Sequence, residues 1–384
     1  MIPAQEIRLS ILKNWHETLS KQSDIFSSDS ISGTSPTSLF VGSFSYPKVF
    51  VGPMVPPIHG DTELFDAPEK WKGRSLEEII NFRLNLVRGI KQVSIHQTEG
   101  RYVENLQEIA MSSKPTDSDL LFEKIPSSDI SLDGESAPFG PAGKIKSAHF
   151  SPSTSIRPVE KAFYDTDLKA QEAVLNLYNS GIDISKIQKC FSVGMFGKKR
   201  KLVPTKWSIT ATDDIISDFL RDEVLSYSII DSCQVFHYGH LGNIFCVILF
   251  PHRWIFEMIE AWYSNGMVVF GSDFENTLGI DHSPKIAGAY FAAKLSVLEF
   301  LRKKKIQAGV IILRKIQPEY AVPVGVWQVR EGIREAMNQF PEFAEDVDHA
   351  LFLASKKMNI AKDTWILNGN ISNLLRQKTL SEFF

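Results

Sequence analysis

Cys233-Gln234-Val235-Phe236-His237-Tyr238 and Asn243-Ile244-Phe245-Cys246-Val247-Ile248-Leu249-Phe250 alternate and run apolar, with Gly239-His240-Leu241-Gly242 between them. Two apolar runs of strand length around a glycine-bounded polar tetrad predict a β-hairpin. Outward from it, residues 253–262 read as helix or strand, 268–270 and 307–315 as strands, and 287–303, 329–337 and 343–355 as helices. Towards the N-terminus, the pattern predicts a helix over 159–180 ending at Gly181, a short strand over 190–193, and a helix from Thr212 to about residue 225. Helices are also expected over 7–19, 75–88 and 99–111, the second capped by Ser75 with Glu77 and Glu78 in its first turn. Short strands are expected at 39–41 and 48–51. Gly52-Pro53-Met54-Val55-Pro56-Pro57 reads as irregular, because proline removes a donor and restricts its neighbour. The polar stretch 112–158 reads as loops. The series is α+β with at least one antiparallel ribbon rather than a regular βαβ repeat. The expected division is an N-terminal helix and linker (1–36), an N-terminal α+β region (37–158), a main α+β domain (159–368) and a flexible C-terminal tail (369–384).

Composition narrows the functional classes. The 384 residues are 43% hydrophobic and 23% charged, with a net charge of -3, so no global basic field is available to hold nucleic acid. Phenylalanine is abundant at 26 residues, which points to aromatic-rich cores or ligand surfaces. The three cysteines, Cys190, Cys233 and Cys246, lack ligand spacing, against a zinc ribbon or disulfide scaffold. The longest apolar run, Ile244 through Phe250, is too short to cross a bilayer, and the expectation is a soluble, cytoplasmic protein with no membrane partner.

Positive charge concentrates in one place. Lys198-Lys199-Arg200-Lys201 and Lys206 lie among glycines and hydroxyls and next to Trp207. Phosphate needs cationic donors and bases need flat partners, so these six residues are the candidate nucleic-acid or phosphate site. A solvated surface loop is the alternative. Asp213 and Asp214 are weak catalytic candidates: paired carboxylates can hold a divalent metal beside phosphate, but they serve equally as a helix cap and first-turn charge. Gly140 and Gly143 with Lys144 and Lys146 are a faint anion-site signal, and Arg74 or Lys144 is a candidate to assist the basic segment. Asp61, His59, His237, His240, His252, Asp281 and His282 show no recognised metal spacing. Neither a Walker A sequence nor a dinucleotide fingerprint is present. The cofactor is therefore open, with a divalent metal expected only if the protein is an enzyme.

The chain closes with Gln377-Lys378-Thr379-Leu380-Ser381-Glu382-Phe383-Phe384. One tight helical turn places Leu380, Phe383 and Phe384 on one side as an apolar plug, with Gln377 offering its amide to a rim. This pattern is similar to the peptide that docks on the sliding clamp PCNA. The alternative is a terminal helix that packs on its own domain, aided by Leu374 and Leu375.

Two longer blocks carry a family resemblance. Leu39-Phe40-Val41-Gly42-Ser43-Phe44-Ser45-Tyr46-Pro47-Lys48-Val49-Phe50-Val51-Gly52-Pro53-Met54-Val55-Pro56-Pro57 and Arg200-Lys201-Leu202-Val203-Pro204-Thr205-Lys206-Trp207-Ser208-Ile209-Thr210-Ala211-Thr212-Asp213-Asp214 resemble the signature blocks of the archaeal Nre DNA repair family, from about residue 37 onward. The resemblance implies repair of DNA damage, including the kind left by cross-linking agents, and a terminal PCNA-binding peptide, whose roles Gln377, Leu380, Phe383 and Phe384 fit. Many relatives begin with a cysteine-rich, zinc-finger-like segment. Residues 1–36 contain no cysteine and only His16, so no structural zinc is expected. The resemblance carries no catalytic assignment. The expectation is a repair factor brought to DNA by PCNA and binding DNA or nucleotide through the basic segment. Two alternatives stand: a metal-dependent nuclease or phosphotransfer enzyme using Asp213 and Asp214, and an adaptor that binds no DNA.

Overall fold

The structure is a computed structural model that describes residues 28–127, 138–264, 267–280, 282–320 and 322–370. The helix expected over 7–19 and the tail residues Gln377, Leu380, Phe383 and Phe384 lie outside the described residues. The protein is α+β, with two compact units: residues 1–216 with 322–326, and residues 217–321 with 327–384.

The first unit holds a six-stranded mixed sheet of β1 (Ser30–Ser35), β2 (Ser38–Val41), β3 (Lys48–Val55), β4 (Val87–Ser94), β5 (Thr116–Phe122) and β6 (Ala142–Phe150). Its order is β1-β5-β6-β4-β3-β2, with β4 and β6 parallel and the other neighbours antiparallel. Its described helices are α1 (Leu76–Leu84), α2 (Arg101–Met111), α3 (Arg157–Tyr164), α4 (Ala170–Asn179), α5 (Ile184–Ser192) and the first part of α6 (Thr205–Val224). Ser75 caps α1 as expected: its hydroxyl accepts from the Glu78 amide at 3.1 Å, and the Glu78 carboxylate accepts from the Ser75 amide at 2.8 Å.

Several expectations for this unit are corrected. Strand β3 does not stop at Val51 but runs through Gly52 and Pro53. Pro53 lies opposite Leu39 on β2, while on the β4 side the register passes from Val51 opposite Lys91 to Met54 opposite Arg88, so the proline falls in the gap. The helix from 75 ends at Leu84 and the chain enters β4 three residues later. The stretch 112–158 contains β5 and β6. In β5 the inward positions are Thr116, Ser118, Leu120 and Phe122, and two hydroxyl residues at the start of the buried face hide the alternation. The expected helix over 159–180 is two helices, because the Asp165 carboxylate accepts from the amides of Asp167 and Leu168 at 3.1 and 3.0 Å and turns the chain. Residues 190–192 belong to α5 rather than to a strand. Buried Ile184, Ile187 and Cys190 recur every three positions, a helical spacing.

The second unit is built around the hairpin. Its described strands are β7 (Ser228–Ile229), β8 (Cys233–His240), β9 (Asn243–Phe250), β10 (Ile255–Ser264), β11 (Met267–Glu275), β12 (Ile306–Gln307), β13 (Gly309–Ile316) and β14 (Glu342–Ala344). The main sheet runs β11-β10-β13-β9-β8-β14, with β10 parallel to β13. The turn is two residues, Leu241 at φ 51° and Gly242 at φ 70°, the left-handed pair a two-residue hairpin favours. A side chain at Gly242 would also meet the Tyr320 amide nitrogen at 2.6 Å. Helices α7 (Ala287–Lys304) and α8 (Trp327–Met337) cover one face, where Phe236 packs on Phe300 and Phe245 lies against Gly332. Helices α9 (Val347–Met358) and α10 (Lys362–Leu367) cover the other, joining Cys246, Ile248 and Trp365 in one apolar cluster. That double cover explains why β9 reads as an unbroken apolar run.

A buried carboxyl lies near the end of the described chain. Glu257 on β10 accepts from the Asn370 amide, and burial pushes its pKa up to about 7 despite that bond. The folded state therefore holds a proton that the unfolded chain releases near pH 4.5, so stability falls as pH rises from about 4.5 to 7. Glu257→Gln is expected to flatten that part of the stability–pH profile, and to raise stability above pH 7 by on the order of 2 kcal/mol. Urea titrations at pH 5 and 8 check it; parallel profiles for both proteins would refute it.

Candidate nucleic-acid interface

The two signature blocks come together in the first unit. The loop between β2 and β3 lifts two aromatics off the core: Phe44 is 82% exposed and Tyr46 50% exposed, with Ser45 in the left-handed region at φ 66°. The chain entering α6 is anchored from below. Leu202 donates its amide to the Ile95 carbonyl at 2.8 Å, Val203 to Ser192 at 2.8 Å, and the Ser192 hydroxyl bonds back to the Val203 carbonyl at 2.7 Å. Met195, Phe196 and Leu202 are buried, which leaves Lys198, Lys199 and Lys201 exposed at the surface. Gly194, at φ 69°, permits this fold-back, since a Cβ there would press on the Lys201 carbonyl at 2.8 Å.

Contact between the blocks is direct. Val41 donates its amide to the Thr205 hydroxyl at 2.9 Å, and the Tyr46 and Trp207 rings lie 5.2 Å apart at 55°. Trp207 is 44% exposed in the first turn of α6. An exposed aromatic pair, with Trp207 six residues along the chain from the exposed Lys201, offers a flat stacking partner next in sequence to phosphate-seeking charge. The other two cations differ. Arg200 donates to the Phe163 carbonyl and lies over the Phe163 ring at 4.8 Å, so much of its donor capacity is already used. Lys206 is half-buried on α6.

Asp213 and Asp214 are not at a helix start. The helix begins at Thr205, seven residues earlier than expected, and both carboxylates lie in its interior. Neighbouring helical residues point about 100° apart. Asp213 is fully buried and accepts from the Gln188 side chain at 3.1 Å, tying α6 to α5, while Asp214 is half-buried. Among the described residues no three His, Cys, Asp or Glu side chains gather as a metal site. The small size of Gly140 and Gly143 serves packing, against the Leu84 carbonyl and the Phe122 ring respectively. Arg74 pairs with Glu78 at 3.1 Å, and Lys144 is exposed on β6.

Sequence reading missed a polar cleft of about 190 Å³ in this unit, lined by residues including Asp66, Glu69, Asp183, Lys186 and Lys189. Asp66 pairs with Arg83 and with Lys189 at 2.9 Å, and accepts from the Ser38 hydroxyl at 2.5 Å. Lys186 donates to the Ser112 carbonyl at 2.6 Å and the Thr37 hydroxyl at 3.2 Å, and burial lowers its pKa to about 8. These residues come from five separated segments, so no local motif announces them.

Comparison with known proteins agrees with the blocks. The chain matches the family model described as archaeal Nre, N-terminal, over residues 4–268, and that described as archaeal Nre, C-terminal, over residues 275–383. The protein belongs to the archaeal Nre family. It is 38% identical over 362 residues to the DNA repair protein NreB of Archaeoglobus fulgidus, covering 92% of each chain. It is 38% identical to the DNA repair protein NreA of the same organism, covering 91% of this chain and 89% of the relative. With the DNA repair protein NreA of Haloferax volcanii the identity is 32%, over 87% of this chain and 84% of the relative. No solved structure matches it significantly. Among the described residues no helix is long and apolar enough to cross a membrane.

Proposed function

We propose that this protein is a DNA repair factor whose first unit holds DNA on the Tyr46–Trp207 face and whose last residues bind PCNA. The observation that carries the DNA-binding part is the meeting of the two signature blocks at a half-exposed aromatic pair, close in sequence to Lys198, Lys199 and Lys201. The repair role rests on the relatives, which are named DNA repair proteins over nearly their full lengths. A net charge of -3 argues for modest intrinsic DNA affinity, and tethering to a clamp compensates by raising local concentration. The tail pattern at Gln377, Leu380, Phe383 and Phe384 supplies the tether. The nuclease or phosphotransfer reading is less well served, because Asp213 is buried in an α5–α6 contact and diverges from Asp214 along the helix.

Binding of fluorescent single-stranded and forked DNA across a salt series tests the face. Trp207→Ala is expected to weaken binding about tenfold. Reversing Lys198, Lys199 and Lys201 to Glu is expected to cut the salt slope by about 2, at roughly 0.7 per lost phosphate contact on single strands. Parent-like affinity in both variants would sink the DNA-binding reading. Separately, Phe383→Ala with Phe384→Ala should abolish retention on immobilised PCNA without changing the unfolding midpoint. Retention of that double variant would sink the clamp reading alone.

A further inference from the structure

The second unit contains a groove that the face on the first unit does not explain. It has a volume of about 720 Å³ and lies against α7, α8 and the segment leading to β14. Its apolar lining includes Phe236 and Phe300, rings 5.7 Å apart and edge to face. On its rim Phe340 is 99% exposed, in the loop after α8. A phenylalanine surrounded by water contributes nothing to its own core, and a solitary one would need no account. This one lines a groove whose lining also holds Lys303 and Lys304, both exposed at the end of α7. Neither lysine forms an ion pair among the described residues, although the Lys304 ammonium lies 5.8 Å from the Phe300 ring centre; Arg302 beside them pairs with Glu223 at 2.7 Å and Arg334 in the groove with Glu299 at 2.8 Å.

Lysines in the last turn of a helix are favoured by its dipole, and that alone explains their position. It does not explain an unshielded aromatic in the same groove, or the presence of Gln234 and Asn338 in its lining. Stacking surface, amide donors and acceptors, and exposed cations without a carboxylate partner are the three elements that take up an unpaired base with its flanking phosphates. The volume suits one nucleotide with part of its neighbour.

We infer that this groove binds an unpaired nucleotide of DNA, the base stacking on Phe340 and the flanking phosphates meeting Lys303 and Lys304. The inference deepens the reading of the chain as a DNA repair factor and rests on it. It specifies that the second unit recognises bases released from a duplex, as at a lesion or fork.

The test uses the full chain with a single-stranded oligonucleotide carrying one 2-aminopurine, and a second carrying 4-thiothymidine for photo-cross-linking. Phe340→Ala is expected to weaken binding at least fivefold and to relieve 2-aminopurine quenching, and Phe340→Trp to restore both. Lys303→Glu with Lys304→Glu should reduce the salt slope by about 1.4. Cross-links of the parent protein are expected in the peptide containing Phe340. All three positions are exposed, so each variant folds, and the unfolding midpoint of the double lysine variant is measured alongside because the helix dipole favours those charges. Parent-like binding by both groove variants, with cross-links confined to peptides containing Tyr46 or Trp207, would overturn this inference and leave the face on the first unit standing. In that outcome the groove belongs to a protein partner. Loss of binding in Trp207→Ala alone separates the two surfaces in the same way.

Discussion

Asp66→Ala is expected to destabilise the first unit by roughly 3–5 kcal/mol, the range for removing one partner of a buried ion pair. Two cations lose their counter-charge at once. Arg83 and Lys189 both turn to Asp66, and all three side chains are largely shielded from water. Burial alone would raise the Asp66 pKa, but Lys189 and Arg83 outweigh it and hold the carboxyl below its ordinary 3.8. A depressed carboxyl contributes stability that is complete above the unfolded value and disappears as pH falls through the folded one. The parent protein should therefore lose an increment of stability below about pH 4 that Asp66→Ala lacks already at pH 7. Urea unfolding of both proteins at pH 7 and 3 measures it. A loss under 1 kcal/mol at pH 7 would mean that the cations find water or other partners, and that the cluster matters little.

Gly52→Ala is expected to cost about 3 kcal/mol or more, with much of the chain lost to aggregation on expression. The reason is a close approach of backbones. A Cβ on Gly52 would collide with the Gly89 carbonyl on β4 and crowd the Tyr102 hydroxyl at 2.9 Å, which itself donates to the Val51 carbonyl at 2.9 Å. Backbone cannot yield without parting β3 from β4. Gly89→Ala is the informative comparison, since its nearest neighbours are the tip and stem of the Ile145 side chain, which can rotate away. Its cost should be about 1 kcal/mol. Equal melting temperatures for the two variants would refute the distinction.

These two positions show what local reading can and cannot reach. Gly52-Pro53 was conspicuous in the sequence as a break in regular structure, and the structure places it inside a strand. The expectation of irregular structure fails over Gly52–Val55: the glycine there serves a close approach to another strand, 37 positions away at Gly89. Strand β5 was hidden for a related reason: its inward Thr116 and Ser118 are polar, and Ser118 bonds the Thr116 carbonyl at 3.0 Å rather than solvent. Thr212-Asp213-Asp214 imitates a helix cap inside α6, which is why the sequence suggests a later start. Its true start follows Pro204, whose carbonyl accepts from the amides of Trp207 and Ser208 at 2.8 and 2.9 Å.

The hairpin around Leu241-Gly242, most helices of the second unit, the basic run and the family blocks were set by the order of residues alone, because each depends on neighbours within a few turns or on an uninterrupted string of side chains. How Tyr46 comes to lie against Trp207, why Asp213 faces inward, and how Phe340 and Lys303 come to line one groove were decided only by tertiary structure. Those relations join residues up to about 160 positions apart, and a contact across such a distance is chosen by the packing of whole sheets and helices rather than by any local preference.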